Sequence, residues 1–439
     1  MKLRIPLHTQ VLIGLALAIL LGGFGGADLM LGPIRATDIY EFVGTLFLRA
    51  LGMIVVPLVA TSIMSSIADI GNGKDVGRLG WKTALYYATT SFFAILVGLV
   101  LVNTIQPGII DGQPASQVLN LDAKTDDALR ATEDRDLGDI AEVFLRMVPN
   151  NVFDSASRGD LLGLIFFSIV FGFFMSRVTG PPGEQVRQTV RGIYDTMLKV
   201  TQWILYFAPI GVFGLVAARI AETGFDVFRP LAVYFFTVVA ALGVHFLVVL
   251  PLLLLLFARV NPTRHYVAMW PAILTAFSTA SSAATLPVTM DCVQKRAGVS
   301  KRTTSFVLPM GATINMDGTA LYECVVAMFI AQAYGIELSF GQQFMVVMLA
   351  LLTSIGVAGV PQASLVAIVI ILNAVGLPPE GIGLVLAVDR ILDMMRTAVN
   401  IFSDSCGAVV VGRWEGEKGI LQSPEKDSER SAPGAASQE

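Results

Sequence analysis

Long apolar runs separated by polar stretches set the plan of this chain. They cover residues 11–24, 40–67, 84–102, 161–175, 203–221, 231–257, 306–333 and 383–411, each near the roughly 20 residues that a helix needs to cross a bilayer. The pattern predicts eight spanning helices. Two further apolar stretches, 271–290 and 344–375, are rich in small residues and interrupted by Gly, Ser and Pro, and read as re-entrant hairpins. Non-helical backbone at membrane depth is tolerated only where it is buried in protein or lines a cavity. The hairpins therefore mark a polar interior.

The last run differs from the others. It carries Asp389, Asp393, Arg396, Asn400 and Asp404 within otherwise Leu/Ile/Val/Ala-rich sequence. At about 100° per residue these five fall within a sector of roughly 80°, with Thr397 at its edge. Charged side chains inside a membrane face a protein interior or an aqueous cavity, because hydrocarbon is too costly for them. The stripe reads as a binding site for something charged.

Composition narrows the class. At 54% hydrophobic and 15% charged residues, with mean hydropathy +0.69, this is a polytopic membrane protein and not a soluble enzyme. A net charge of −4 gives no sign of nucleic-acid binding. Cys292, Cys324 and Cys406 have neither paired nor metal-ligand spacing, so no disulfide or zinc site is indicated. His8, His245 and His265 stand apart from any motif and read as packing or interface residues. No nucleophile and base pair, metal motif or phosphate loop points to an enzyme.

Loop charge gives the orientation. Lys2 and Arg4, then Lys74, Arg78 and Lys82, then Arg177, Arg187, Arg191 and Lys199 fall on one side, predicted to be cytoplasmic, while the acidic stretch 111–154 falls on the other. Eight spans put both termini inside. The first run continues into Gly-rich sequence without an Ala-x-Ala site and reads as a retained span. The C-terminal segment 413–439 reads as a disordered cytoplasmic tail.

The second half repeats a unit. A small-residue hairpin tip (STASSAATLP, 278–287) precedes a helix with Asn315 and Asp317, and a second tip (TSIGVAGVP, 353–361) precedes the helix with the charged stripe. Interrupted segments in corresponding positions point to a midplane substrate site in a secondary transporter. Ser281, Ser282, Ala283 and Ala284, like Gly356, Ala358 and Gly359, are small enough for backbone amides to approach a ligand; alternatively they serve only helix packing. In PMGATINMDGT (309–319), Gly311 and Gly318 weaken the helix, and unwinding beside Asp317 is expected to free carbonyls that suit a hard cation. Asn and Asp capping a helix break is the alternative. Arg396 offers a planar fork to a carboxylate and Asp393 a partner for an ammonium. An Arg396–Asp393 ion pair without ligand is the other possibility.

These motifs resemble the dicarboxylate/amino acid:cation symporters, a family that includes archaeal aspartate transporters and animal excitatory amino acid transporters. The resemblance covers nearly the whole chain and rests on SSAATLP (281–287), PMGATINMDGT (309–319), SIGVAGVP (354–361) and DRILDMMRTAVNIFSD (389–404). It implies an all-α, elevator-type homotrimer in the cell inner (plasma) membrane, with eight transmembrane helices and two re-entrant hairpins. Scaffold helices would lie in 1–80. Segment 81–155 would hold a transport-domain helix and the acidic loop, 156–258 helices four to six with the sixth in the transport domain, and 259–412 the transport core. Substrate contacts implied by the resemblance are Ser281, Ser282, Met316, Thr319, Val360, Ser364, Asp393, Arg396, Thr397 and Asn400. Sodium, as co-transported ion, would use Gly311, Asn315, Asn400 and Asp404; Thr313, Ser354, Ile355 and Val357; and Tyr87, Thr90, Ser91, Asn315 and Asp317.

The same resemblance implies L-aspartate and L-glutamate as substrates, because arginine stands at 396, and sodium as driver, because Asp404 is present. The alternatives are a proton-coupled C4-dicarboxylate carrier and, from another class, a channel. Ala280 and Met394 replace arginines found in archaeal and animal members respectively. Glu323 matches the animal proton-carrying glutamate and is expected to carry a proton.

Overall fold

The structure, a computed structural model, describes residues 7–25, 29–31, 33–70, 74–118, 145, 148–158, 161–224, 228–356 and 363–421. Apolar runs become helices because a bilayer leaves no other partner for backbone N–H and C=O groups. In chain order these are α1 (Leu7–Gly25), α2 (Ala36–Ile70), α3 (Lys74–Ile105), α4 (Ala115–Val118), α5 (Val152–Arg158), α6 (Leu161–Arg177), α7 (Gly180–Leu205), α8 (Ala208–Thr223) and α9 (Phe228–Ala258). There follow α10 (Pro262–Thr279), α11 (Ser282–Asp291), α12 (Lys301–Ile314), α13 (Asp317–Ala333), α14 (Phe340–Gly356), α15 (Ala363–Val375) and α16 (Ile382–Trp414). Two small antiparallel ribbons, β1 (Met30–Leu31) with β2 (Ile34–Arg35) and β3 (Ile109–Ile110) with β4 (Gln113–Pro114), cap the loops after α1 and α3.

Among the described residues, Ala36–Ser65, Arg78–Ile105, Phe228–Ala258 and Lys301–Ala333 are long and apolar enough to cross a membrane. The pair Gly180–Ile204 and Ala208–Ala218, bent by 54°, makes a fifth when taken as one span. Thr9–Gly25 and Gly163–Arg177 are apolar but shorter. Helix α16 has the length, at 33 residues, yet Asp389, Arg390, Asp393, Arg396 and Asp404 make it too polar to read as a lipid-facing span. Its middle and end are buried instead.

The structure corrects two expectations. The basic stretch between the fourth and fifth runs is not a loop: α7 starts after Thr179 with Pro181 and Pro182 in its first turn, where proline's fixed φ suits helix initiation. Helix α7 is amphipathic, and Arg187 ties its start to α6 by donating to the carbonyls of Met175 and Val178, each at 3.2 Å. The tail also begins later than residue 413. Helix α16 runs to Trp414, and 415–421 dock back on the protein: Glu415 pairs with Arg78 at 2.7 Å and Lys82 at 2.6 Å, Glu417 accepts from the Ser300 hydroxyl at 2.6 Å, and Leu421 N–H donates to Ala297 at 2.9 Å. Residues 422–439 and most of the acidic segment, 119–144, lie outside the described residues.

Helices pack in two groups. In one, α6, α7 and α8 pack on α2, and α1 packs on α8; in the other, α3, α9, α14, α15 and α16 pack on α13, and α10, α11 and α12 pack on α16. All of α13 is buried except Thr319 and Gln332, Asp317 and Glu323 included, so it is an interior helix that carries two acids. Within the second group α10 folds onto α11, and α14 onto α15, forming the two expected helix pairs. The first pair turns in two residues: Ala280 takes a left-handed φ of 48°, and the Ser281 hydroxyl accepts the Ala284 N–H at 3.3 Å as N-cap of α11. Residues 357–362, between α14 and α15, lie outside the described residues.

Candidate functional site

The break expected near Gly318 lies two residues earlier. Asn315 (φ −99°, ψ 89°) and Met316 (φ −115°, ψ 56°) leave helical geometry between α12 and α13. Carbonyls at the end of α12 lose their helical donors there, and Asp317 enters the first turn of α13, where the helix dipole favours an acid. Gly311 and Gly318 are instead points of close approach inside helices. A Cβ on Gly318 would stand 2.8 Å from the Arg396 carbonyl oxygen, and one on Gly311 2.5 Å from Asp404 Oδ1. Both glycines let the broken helix press against the charged face of α16.

That contact builds a buried oxygen cluster. Asp317 accepts through Oδ1 from Ser91 at 2.7 Å and Thr90 at 3.3 Å, and through Oδ2 from Ser403 at 2.6 Å. Thr90 Oγ1 is also 3.3 Å from Asn315 Oδ1. The Asn315 amide donates to Asp404 Oδ1 at 2.9 Å and Ser403 Oγ at 3.0 Å. Asn315 and Asp317 are fully buried, and Thr90, Ser91, Ser403 and Asp404 nearly so. Tyr87 reaches the same place from α3, its hydroxyl donating to the Val307 carbonyl at 2.8 Å. Two carboxylates taken out of water with no Lys or Arg paired to them among the described residues are costly. Their amide and hydroxyl neighbours are the donor set of a hard monovalent cation. Among the described residues no cluster of three or more His, Cys, Asp or Glu has metal-holding geometry, which leaves these mixed oxygens as the cation candidates.

One turn back along α16, Asn400 stands between this cluster and Arg396. Its Oδ1 accepts from Gly318 N–H at 2.8 Å, and its amide points at Thr319 Oγ1 and Met316 Sδ, each at 3.2 Å. Arg396 is 1% exposed, yet four groups share its guanidinium: Ser364 at 3.1 Å, Asp389 at 3.0 Å, Asp393 at 3.1 Å, and the ring of Tyr322, 3.8 Å from centroid to Cζ. Its Nε has no partner among the described residues. Asp393 also takes Arg390 at 3.4 Å, and Tyr322 donates to Asp389 at 2.8 Å. Arg396 thus pairs with Asp393, and with Asp389 as a second partner to which sequence reasoning assigned no separate role.

Other expected residues fall as follows. Thr397 donates back to the Asp393 carbonyl at 2.8 Å. Thr313 and Ser354 bond locally to Met310 at 2.9 Å and Leu351 at 2.8 Å, near the C-terminal ends of α12 and α14, which pack together. Ile355 lies in the last turn of α14, and Val357 and Val360 lie outside the described residues. Ser282 is buried on α11, which packs on α16; the bonds of Ser281 are local to its turn. Glu323 is fully buried, accepts from Thr353 at 2.9 Å, and leaves Oε1 without a partner among the described residues.

Sequence reasoning missed three members. Ser403 lies just beside the polar sector of α16, so the helical wheel could have found it. His245, read as a packing residue, in fact meets Asp317 Oδ2 at 3.0 Å; its one signal was an imidazole in an apolar span. Tyr322 gave none. His265 does behave as a packing residue, bonded to Ser405 at 2.9 Å against the Phe402 ring.

Residues 7–414 match the family described as the sodium:dicarboxylate symporter family. The chain is 36% identical over 414 residues to the proton/sodium-glutamate symport protein of Bacillus caldotenax, covering 94% of this chain and 96% of that one. It is 35% identical over 418 residues to the proton/glutamate-aspartate symporter of Escherichia coli K12, covering 94% of each. Against excitatory amino acid transporter 3 of Mus musculus the identity is 36% over 412 residues, 85% of this chain and 78% of the other.

Proposed function

This chain belongs to the sodium:dicarboxylate symporter family, and on that premise we propose that it is a secondary active symporter moving L-aspartate or L-glutamate into the cell with sodium ions. The observation that carries the reading is a buried arginine fork and a buried oxygen cluster on one face of α16, with Asn400 between them in sequence and bonded to Gly318 N–H beside Asp317. Two of the relatives are named for glutamate, one of them for aspartate as well, and a third for excitatory amino acids.

The chemistry follows from the residues. A substrate side-chain carboxylate takes Arg396 from Asp389 and Asp393, and the freed Asp393 pairs with the α-ammonium. Asn400 and the amides at the tip of the first helix pair hold the α-carboxylate. Sodium ions occupy the oxygens of Thr90, Ser91, Asn315, Asp317 and Asp404, and Gly318 N–H transmits their arrangement to Asn400. Cation and substrate binding are thereby coupled. Glu323 carries a proton: its carboxyl is fully buried, with Thr353 as its hydrogen-bond donor among the described residues, and protonation removes a charge that burial makes costly.

In the same reading eight spans and two re-entrant hairpins make a multi-pass inner-membrane protein with cytoplasmic termini. The group containing α1, α2, α6, α7 and α8 is the scaffold of a homotrimer, and the group around α13 is the transport core that moves as an elevator. The packing of helices into these two groups supports that division. A C4-dicarboxylate carrier would have no use for Asp393 as an ammonium partner.

The test is uptake of radiolabelled L-aspartate into proteoliposomes under an inward sodium gradient or a sodium-free pH gradient, with L-glutamate or succinate as competitor. Sodium-dependent uptake blocked by glutamate and not by succinate is expected. Uptake driven by the pH gradient alone would overturn the sodium assignment.

A further inference from the structure

Helix α9 carries a single imidazole in an otherwise apolar stretch. It sits in a π-helical turn, His245–Val249, shortly before Pro251, and a second such turn, Leu254–Ala258, follows. Proline removes a helical donor, and π turns accumulate at functional sites. His245 is fully buried. Its Nε2 meets Asp317 Oδ2 at 3.0 Å, and its Nδ1 has no partner among the described residues. A carboxylate only accepts, so Nε2 carries the hydrogen and donates it.

We propose that His245 is a positioning residue that fixes the Asp317 carboxylate so that Oδ1 faces the entering cation; the inference rests on the reading of Asp317 as a cation ligand. The carboxylate has two unequal sides. Oδ2 takes His245 Nε2–H and the Ser403 hydroxyl. Oδ1 is turned to the hydroxyls of Ser91 and Thr90, which also borders Asn315 Oδ1. A cation entering between those oxygens needs lone pairs, so the hydroxyl protons must turn away. Thr90 has an outlet in the Tyr87 carbonyl, 3.1 Å away. At that moment Oδ1 loses its protein donors, and only the bonds to Oδ2 hold the plane of the carboxylate.

Ser403 alone is a poor anchor, because its rotating hydroxyl also accepts from the Asn315 amide at 3.0 Å. The imidazole is rigid, and it comes from a helix that contributes no cation oxygen of its own. Holding a ligand's second oxygen from outside the ligand shell is how such partners tune ion affinity. No Lys or Arg among the described residues pairs with Asp317, which leaves the imidazole as its one basic neighbour there.

Three variants in proteoliposomes test this. His245→Gln keeps an N–H near the Nε2 position, His245→Asn is too short to reach, and His245→Leu has no donor. Sodium half-saturation and maximal rate of aspartate uptake are measured at saturating aspartate, with radioactive sodium binding measured in the absence of aspartate. Gln is expected to stay within about threefold of wild type, and Asn and Leu to need roughly 10-fold or more sodium, the loss of one charge-assisted bond, while recovering most of the maximal rate. Equal behaviour of Gln and Asn in sodium dependence, or a fall in maximal rate with sodium dependence intact, would overturn the proposal. That comparison suffices if the Leu variant does not fold. Asp317→Asn is the control: wild-type sodium dependence there refutes the cation assignment itself, whereas its loss beside unchanged His245 variants refutes only the role of His245.

Discussion

Replacing Gly311 with alanine tests how tightly the cation carboxylate is seated. The added methyl would lie 2.5 Å from Asp404 Oδ1 and 2.6 Å from the Tyr87 hydroxyl, where ordinary contact begins at 3.4 Å. Neither neighbour is free to retreat by the required distance of about 0.9 Å. The Tyr87 hydroxyl is held by its bond to Val307 at 2.8 Å, and Asp404 by the Asn315 amide at 2.9 Å. Overpacking of this kind costs about 1–3 kcal/mol. If the carboxylate yields, sodium half-saturation of aspartate uptake rises by roughly 5- to 150-fold. Gly52→Ala is the control, since its methyl would meet nothing within 4 Å; helix propensity there favours alanine by up to about 1 kcal/mol, with sodium dependence unchanged. A folded Gly311→Ala protein whose sodium half-saturation stays within about twofold of wild type would refute the packing argument.

Three further outcomes are expected. Arg396→Lys keeps the charge but loses the fork that serves Ser364, Asp389 and Asp393 together, so apparent affinity for aspartate, measured by uptake, should fall roughly 100-fold. If Glu323 carries a proton as proposed, uptake by the wild type should decline as external pH rises and Glu323→Gln should flatten that profile; an unchanged profile removes the proton role. Outside the membrane core, the bond from Lys82, with a second from Arg78, holds the Glu415 carboxyl below its ordinary value against the opposing effect of burial. Its stabilisation is therefore present above the unfolded-state value and lost as pH falls through the lowered one. Glu415→Gln should cost about 0.5–1 kcal/mol at neutral pH in thermal unfolding, with the difference vanishing in acid.

Periodic features were legible in the sequence. The polar sector of α16 needs only the helical repeat, and Arg396, Asn400 and Asp404 all lie where it puts them. The hairpin pairs and the broken helix were marked by Gly, Pro and Ser clusters. Features that depend on a distant partner were hidden: His245 meets a residue 72 positions away, and Tyr322 meets Asp389 across 67. Gly311 and Gly318 were recognised as special for the wrong reason, because a glycine that makes room and one that breaks a helix look alike in one dimension. Helix α7 escaped because only half of an amphipathic surface helix is apolar, so a search for greasy runs sees a loop.

The seating of Arg396 bears on the half of the cycle in which nothing is carried. A carrier that has delivered its load must recross the membrane empty, and a bare guanidinium would make that return leg a cation's passage through a low-dielectric barrier. With Asp389, Asp393, Ser364 and the Tyr322 ring closed around it, the arginine would, on the proposed elevator reading, travel with its own counter-charges. On the proposed reading, substrate would enter as an exchange of one carboxylate for another, so the affinity an experiment records would be the difference between an external acid and an internal one.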